Sequence, residues 1–189
     1  DITPSLQYGT SEKSSSKGKV AVLRMGNITR NGTIDYSDLV YTSNDKDIES
    51  LMLKKGDVLF NRTNSSEWVG KTAIYDGKIP AIYAGYIIRM TPYLVDPYYL
   101  TFVMISPYER DWCNMVKTDG VNQSNINSQK LSSFFIPLPP LSEQKRIVSA
   151  IEKWFGIIDQ LESNEADLRK SIEQTKKKVL DLAIHGNLV

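Results

Sequence analysis

Apolar side chains recur at alternating steps of three and four residues across positions 147–182. A heptad seam of this kind, sustained for about five repeats, predicts one long helix that pairs with another helix. Pro139 and Pro140 stop the preceding element, Ser142 suits the N-cap and Gly186 suits the C-terminal exit. The seam consists of Ile147, Ile151, Trp154, Ile158, Leu161, Glu165, Leu168, Ile172, Thr175, Val179 and Leu182, of which only Glu165 and Thr175 are polar.

The length of this helix limits what can cover it. From Ser142 to His185 it would extend roughly 66 Å at the helical rise per residue. A compact body built from the preceding residues would be only about 37 Å across. We therefore expect a second long helix, from another copy or from another part of the same polypeptide, to bury the far half. A helix folded against its own domain is the alternative.

The residues before the helix show short β-type runs separated by turn residues, which predicts an irregular, β-rich body of the α+β class. The dipeptides at 31–32, 56–57 and 76–77 are NG, GD and DG, all typical of turns. Asp96 followed by Pro97 predicts an N-cap and the start of a helix. Strand-like runs are 19–28, 35–42, 54–63, 71–90 and 134–138, the last of these after a short helix predicted over 125–133.

Composition describes an ordinary globular chain. Of its 189 residues, 41% are hydrophobic and 24% are charged, with a net charge of +1. The net charge therefore does not indicate a nucleic-acid partner, and a basic surface would have to come from local clustering of lysine and arginine residues. Cys113 is the only cysteine and is expected to be buried. No apolar run approaches the length of a membrane-spanning helix, and we expect no leader peptide at the start of the chain. We expect a cytoplasmic protein without a membrane partner.

Motifs for catalysis are missing from the sequence. It contains neither G-x-x-x-x-G-K-[ST] nor G-x-G-x-x-G, so no cofactor is predicted. The only histidine, His185, fits a favourable charge at a helix C-terminus better than a catalytic base, and no metal site is predicted. Two acid pairs in loop-like sequence could in principle bind magnesium or share acid and base roles, but a solvated surface is the simpler interpretation. These pairs are Asp35 with Asp38 and Asp45 with Asp47.

Two polar stretches, 60–71 and 117–130, carry side chains that can hydrogen-bond base edges and phosphates. Turn composition alone is the competing explanation. A Gly, Ser and Lys cluster over 8–19 is typical of a mobile surface loop and adds two lysines. The candidate DNA-contacting residues are Lys17, Lys19, Arg30, Arg62, Thr63, Asn64, Ser66, Trp68, Lys71, Lys117, Asn122, Gln123, Asn125 and Lys130.

Four stretches together resemble the specificity subunit of type I restriction-modification systems. They are "LRMGNI", "GDVLFNRTNSSEWVGKTAIYDG", "GVNQSNINSQKLSSFFIPLPPLSEQKRIVSAIE" and "LDLAIHGNLV". The most specific part is LPPL at 138–141, followed by EQ at 143–144 at the head of the long helix. The resemblance covers nearly the whole chain.

This resemblance implies a target-recognition domain over 1–140 that reads double-stranded DNA, followed by a conserved helix over 141–189. It also implies that the helix pairs antiparallel with a second such helix and serves as a spacer and a docking surface for methyltransferase subunits. Methylation and cleavage would then belong to partner methyltransferase and nuclease/translocase subunits, and this chain would not be an enzyme. Full-length family members carry two such units, so this chain is either half of a longer subunit or a natural half-size version. The competing hypotheses are a coiled-coil protein-interaction module and a hydrolase with an unrecognised site.

Overall fold

The computed structural model describes residue 3 and residues 5–185, except for the side chains of Leu182 and Ala183. The chain forms two compact units, Asp1–Lys145 and Arg146–Val189. The strands are β1 Leu6–Tyr8, β2 Val20–Leu23, β3 Val40–Thr42, β4 Val58–Asn61, β5 Thr63–Asn64, β6 Thr72–Ile74, β7 Ala81–Tyr83, β8 Ile87–Met90, β9 Thr118–Asp119 and β10 Ser124–Asn125. The helices are α1 Asp45–Leu51, α2 Pro97–Met104, α3 Pro107–Val116, α4 Ser128–Leu131 and α5 Leu141–Ile184.

Three small sheets build the first unit, which confirms the predicted α+β class. One antiparallel sheet has the order β1-β8-β4-β6, and a second has the order β3-β2-β7 with β2 and β7 parallel. The third sheet, β5-β10-β9, is formed by short strands from distant parts of the chain. The main apolar cluster surrounds the β3-β2-β7 sheet and includes Val22, Leu23 and Ile82, all fully buried. The strands of the larger sheets are only three or four residues long. Packing of their apolar side chains in the core therefore stabilises them in addition to their few backbone hydrogen bonds.

The glycines of the predicted turns have the expected turn conformation, and strands follow them in the chain. Gly56 has φ +95° and Gly77 has φ +79°, the left-handed region that glycine adopts without steric penalty. The Asp57 carboxylate accepts a hydrogen bond from the Lys54 backbone N–H at 2.8 Å, which closes the first turn directly before the fully buried strand β4. Gly32 also has a positive φ, and the chain returns to pair β3 antiparallel with β2.

Side-chain caps begin the shorter helices. Asp96 accepts hydrogen bonds from the Tyr98 and Tyr99 backbone N–H groups, so the predicted N-cap of α2 is confirmed. Asn44 caps α1 in the same way, through the backbone N–H groups of Lys46 and Asp47. The prediction that Asp45 and Asp47 lie in a loop is therefore wrong, because both occupy the first turn of a helix, where an anion is favourable.

Two other local predictions are also wrong. Residues 134–138 form no strand in the structure. Pro137 has no backbone N–H to give to a sheet, and its carbonyl accepts a hydrogen bond from the Tyr99 hydroxyl at 2.9 Å. The 8–19 segment is not simply a loop, because it begins in β1 and Ser15 exchanges two backbone hydrogen bonds with Tyr41 at 2.9 and 2.8 Å.

Helix α5 is 44 residues long, about 66 Å at the helical rise, as its seam predicts. It begins at Leu141, so Ser142 lies inside the helix and the predicted N-cap is wrong. The Pro140 carbonyl instead accepts hydrogen bonds from the backbone N–H groups of Glu143 and Gln144. Gly186, predicted as the C-terminal exit, lies outside the described residues. No helix in the part of the chain that the structure describes is long and apolar enough to cross a membrane.

The seam side chains of α5 differ in exposure along the helix. Ile147 and Ile151 are half-buried, whereas every described residue from 152 to 181 is exposed. The Leu182 side chain lies outside the described residues. The exposed apolar members are Trp154 64%, Ile158 46%, Leu161 62%, Leu168 61%, Ile172 46% and Val179 45%.

Candidate nucleic-acid interface

The two polar stretches predicted from the sequence meet in the β5-β10-β9 sheet. Strand β10 pairs antiparallel with β5, with Ser124 opposite Asn64 and Asn125 opposite Thr63. On its other side β10 pairs with β9, with Ser124 opposite Asp119. Side chains from 60–71 and from 117–130 therefore share one small surface, although about 60 positions separate them in the sequence.

Arg62 is held in place by neighbours on this sheet. Its Nη2 donates a hydrogen bond to Asn125 Oδ1 at 3.1 Å, and Asn125 Nδ2 donates to Thr63 Oγ1 at 2.7 Å. The guanidinium also lies 4.8 Å from the centre of the Tyr8 ring, within the range of a cation–π contact. Burial tends to raise the pKa of Tyr8, but hydrogen bonding with Ser128 and the Arg62 charge bring that pKa below its ordinary value. These contacts orient the half-buried Arg62 guanidinium and leave some of its N–H donors without an acceptor in the domain.

Strands β9 and β10 form a hairpin whose four-residue tip is Gly120 to Gln123. The Gly120 backbone N–H donates to the Gln123 carbonyl at 2.8 Å and closes the tip. Val121 is fully exposed, and the amides of Asn122 and Gln123 are exposed on either side of the same turn. Within the described residues neither amide has a hydrogen-bond partner, so both are free to bind.

Trp68 contacts two of the predicted cations. Arg30 is 3.7 Å from its ring centre and the Lys71 ammonium is 5.0 Å away. Arg30 also forms an ion pair with the Glu67 carboxylate at 3.0 Å. Lys71 Nζ donates to the Met25 and Ile28 carbonyls at 3.0 and 2.6 Å. Burial, and then the nearby Arg30 charge, lower the pKa of Lys71.

Other predicted contacts are used within the domain. Lys117 Nζ donates to Ser66 Oγ at 2.6 Å and so ties the two polar stretches together. Lys130 Nζ donates to Thr118 Oγ1 at 2.7 Å and to the Val116 carbonyl. Lys130 therefore supports β9, and one of the three donors of its ammonium remains available.

The remaining predicted residues divide into paired and exposed positions. Lys19 forms an ion pair with Asp45 at 2.7 Å, while Lys17 is exposed in the loop that precedes β2. Asn64 accepts a hydrogen bond from the Ser65 backbone N–H at 2.8 Å, which fixes the turn after β5.

Sequence reasoning missed Tyr8 and Arg110. Tyr8 stacks on Arg62 from β1, and Arg110 in α3 donates to the Val69 carbonyl at 3.1 Å and to the Glu67 carbonyl. No local motif marks either residue, because each meets the polar stretches only through the tertiary fold.

In the residues that the structure describes, no group of three or more His, Cys, Asp or Glu side chains could hold a metal ion. Cys113 is buried, as predicted, and its thiol donates to Glu109 Oε1 at 2.8 Å. Burial raises the pKa of Glu109 to about 8 and also raises that of the Cys113 thiol. His185 lies near Asp181 Oδ1 at 3.3 Å at the end of α5.

Comparison with known proteins gives consistent matches. A putative type I restriction enzyme MjaX specificity subunit of Methanocaldococcus jannaschii is 31% identical over 95% of this chain and 43% of its own length. The type I restriction enzyme EcoKI specificity subunit of Escherichia coli K12 is 28% identical over 99% of this chain and 41% of its own length. The chain thus spans less than half the length of these curated relatives.

Solved structures show the same fold. A chain from a study of the assembly and conformational transition of the type I R-M system covers 99% of this chain at a TM-score of 0.75 and 19% identity, with 44% of that chain matched. The HsdS subunit from Thermoanaerobacter tengcongensis covers 85% at a TM-score of 0.61 and 17% identity, with 42% matched. The family model for the type I restriction modification DNA specificity domain matches residues 7–174. The chain therefore belongs to the type I restriction modification DNA specificity domain family.

Proposed function

We propose that residues 1–140 recognise a specific sequence in double-stranded DNA. In this proposal the chain acts as the non-catalytic specificity subunit of a type I restriction-modification complex. It would direct methyltransferase subunits and a nuclease/translocase subunit to their target in the cytoplasm. The observation that carries the proposal is the β5-β10-β9 sheet, which joins the two polar stretches into one surface with free hydrogen-bonding groups.

The geometry of this surface suits base recognition. The major groove of B-DNA admits a two-stranded β-ribbon, and the β9-β10 hairpin is such a ribbon with free amides at its tip. Asn122 and Gln123 can each pair bidentately with adenine, whereas the oriented Arg62 guanidinium can pair with guanine. We assign Thr63, Asn64, Ser66 and Asn125 to supporting or additional polar contacts on the same sheet.

Phosphate contacts would position the domain without reading sequence. Lysine and arginine side chains supply this term, and it depends strongly on salt. We assign it to the predicted cations around the sheet, including those whose structural bonds leave donors available. These cations are Lys17, Lys19, Arg30, Lys71, Lys117 and Lys130.

We further propose that α5 pairs with a second copy or a second half of the specificity subunit. The exposed apolar seam positions between Trp154 and Val179 support pairing, and the antiparallel direction is the one that the family resemblance implies. Identical domains related by a two-fold axis would read inverted half-sites across an unread spacer. The same helix pair would provide the docking surface for methyltransferase subunits.

Selection from a random double-stranded DNA pool tests this function. The full chain with its methyltransferase partner should enrich a motif, and Arg62→Ala should lower affinity for that motif by about 1 to 3 kcal/mol while relaxing one position. Lys78→Ala is the control, because Lys78 is an exposed cation that pairs with Asp76 and is not a candidate DNA contact. A melting curve for each variant excludes loss of folding as the cause.

A coiled-coil interaction module is the second candidate, and the exposed seam of α5 favours it. In that case the complex would assemble but the bound DNA would show no enriched motif. Nuclease or methylation activity from the isolated chain, abolished by changing one of its own carboxylates, would contradict the non-catalytic role.

A further inference from the structure

A cavity of about 360 Å³ opens beside the polar stretch 60–71, and no residue of the hairpin tip lines it. Three cations from separate segments line it. Arg30 lies in the segment between β2 and β3, Lys71 lies directly before β6, and Arg110 lies in α3. Ser106 and Pro107 at the start of α3 also line it.

Positive charge in this cavity is only partly neutralised. Glu67 pairs with Arg30 but its side chain is 71% exposed, so solvent screens that pair. Glu109 is the acid that lines the cavity, and because burial raises its pKa to about 8 it is mainly uncharged at neutral pH. The Arg30 charge is close enough to Lys71 to lower the pKa of that lysine. Such like-charge repulsion is relieved when an anion binds.

Donors remain available for an anion after the structural bonds are counted. Lys71 uses two carbonyl acceptors, and a lysine ammonium has three donors. Arg110 bonds two carbonyls, and a guanidinium has five donors. The amino-terminal end of α3 adds a partial positive charge at the same wall. Trp68 stacks on Arg30 and restricts it to this position.

We propose that this cavity binds one phosphate group of the DNA backbone, held by Arg30, Lys71 and Arg110. The assignment rests on the proposed DNA recognition and gives the cavity and the hairpin different roles. The cavity would fix its position on the backbone, while Arg62 and the hairpin tip would read bases. Its volume of about 360 Å³ is enough for a phosphodiester group with its neighbouring waters.

Arg110→Gln, Arg30→Gln and the charge-conserving Arg110→Lys test the cavity in the full chain with its methyltransferase partner. Titrations use the selected DNA and a scrambled duplex over a range of salt concentrations. Each Gln variant should weaken both duplexes alike, by up to about fivefold at about 0.15 M salt, and should reduce the log–log salt slope by up to about 0.9, the value for the one phosphate that the three cations share. Arg110→Lys should keep the wild-type slope. Lys78→Gln is the charge-matched control, because Lys78 is an exposed cation that pairs with Asp76 and is not a candidate DNA contact.

Neutral methylphosphonate placed at one backbone position at a time locates the contact. One position per half-site should weaken wild-type binding, and the same position should have a smaller effect in Arg110→Gln, which retains only Arg30 and Lys71 as phosphate ligands. If the wild type selects a motif but Arg110→Gln and Arg30→Gln keep the full salt slope and methylphosphonate sensitivity, the cavity assignment is overturned while the DNA function stands.

Failure of the wild type to select any motif would instead contradict the proposed function itself. A thermal-shift titration with inorganic phosphate distinguishes the other source of this anion. Stabilisation of the wild type but not of Arg110→Gln, combined with unchanged DNA binding by that variant, would assign the cavity to free phosphate and overturn the backbone contact.

Discussion

Replacing Leu168 by aspartate should abolish most self-association of the chain through α5. Leu168 is 61% exposed in the single chain, and full burial of a leucine side chain contributes about 1.5 to 3 kcal/mol. The exposed fraction is therefore worth about 1 to 2 kcal/mol per copy. A two-fold dimer contains this position twice, so the loss is about 2 to 4 kcal/mol before the cost of placing carboxylates in an apolar seam.

This loss corresponds to an increase of at least about 30-fold in the dissociation constant of the dimer. Leu180 offers a matched control because it is 62% exposed and also leucine, but it lies outside the heptad seam. Leu180→Asp should leave the dissociation constant nearly unchanged. Sedimentation equilibrium of the full chain at several micromolar concentrations measures both variants, and circular dichroism checks that α5 remains helical.

Equal effects of the two leucine variants would refute the seam as the interface. So would a wild-type chain that stays monomeric at micromolar concentration, because the exposed apolar positions would then be tolerated in water or covered by a different protein.

Three further outcomes follow from the structure. Burial raises the pKa of Glu109 in the folded state from its ordinary value of 4.5 to about 8. Its contribution to stability should therefore fall by about 1.4 kcal/mol per pH unit as pH rises between those values. Glu109→Gln should remove this slope, which is measured by urea unfolding at pH 5.5 and 7.5. Gln144 is 1% exposed, and its side chain accepts a hydrogen bond from the Asp96 backbone N–H and donates one to the Pro139 carbonyl, both at 2.8 Å. Gln144→Leu should therefore lower the free energy of unfolding by about 1 to 3 kcal/mol for each backbone group left unpaired. An unchanged urea midpoint would contradict this. Inserting one heptad near Glu165 should move paired domains apart by about 10 Å, so the motif selected from a random pool should gain about three base pairs of spacer.

Local chemistry in the sequence accounts for much of the fold. The turn at Gly56, the cap at Asp96 and the start of α5 within one residue all follow from groups adjacent in the chain. Residues 134–138 show the limit of that reasoning. Their apolar pattern is typical of a strand, yet the hydroxyls of Tyr99 and Tyr108 bond the carbonyls of Pro137 and Phe135 instead. Tertiary partners, which no local pattern contains, decide that segment.

The candidate surface was only half visible in the sequence. Both polar stretches could be found by composition, but the pairing of Thr63 with Asn125 is a non-local contact between two-residue strands. Such strands carry too little periodicity to predict a partner. Arg110 was missed for a related reason: its helix pattern says nothing about which loop it faces.

The small β5-β10-β9 sheet has a consequence for how such a domain diversifies. Buried Ser124 and Ile126 anchor the second polar stretch, whereas Val121, Asn122 and Gln123 at its tip make no contribution to the main apolar cluster. Substitutions at exposed positions of this kind usually change stability by no more than about 0.5 kcal/mol. We infer that the tip can acquire new side chains by single mutations while the rest of the scaffold is inherited unchanged, so a new specificity need not arise together with compensating changes in the core.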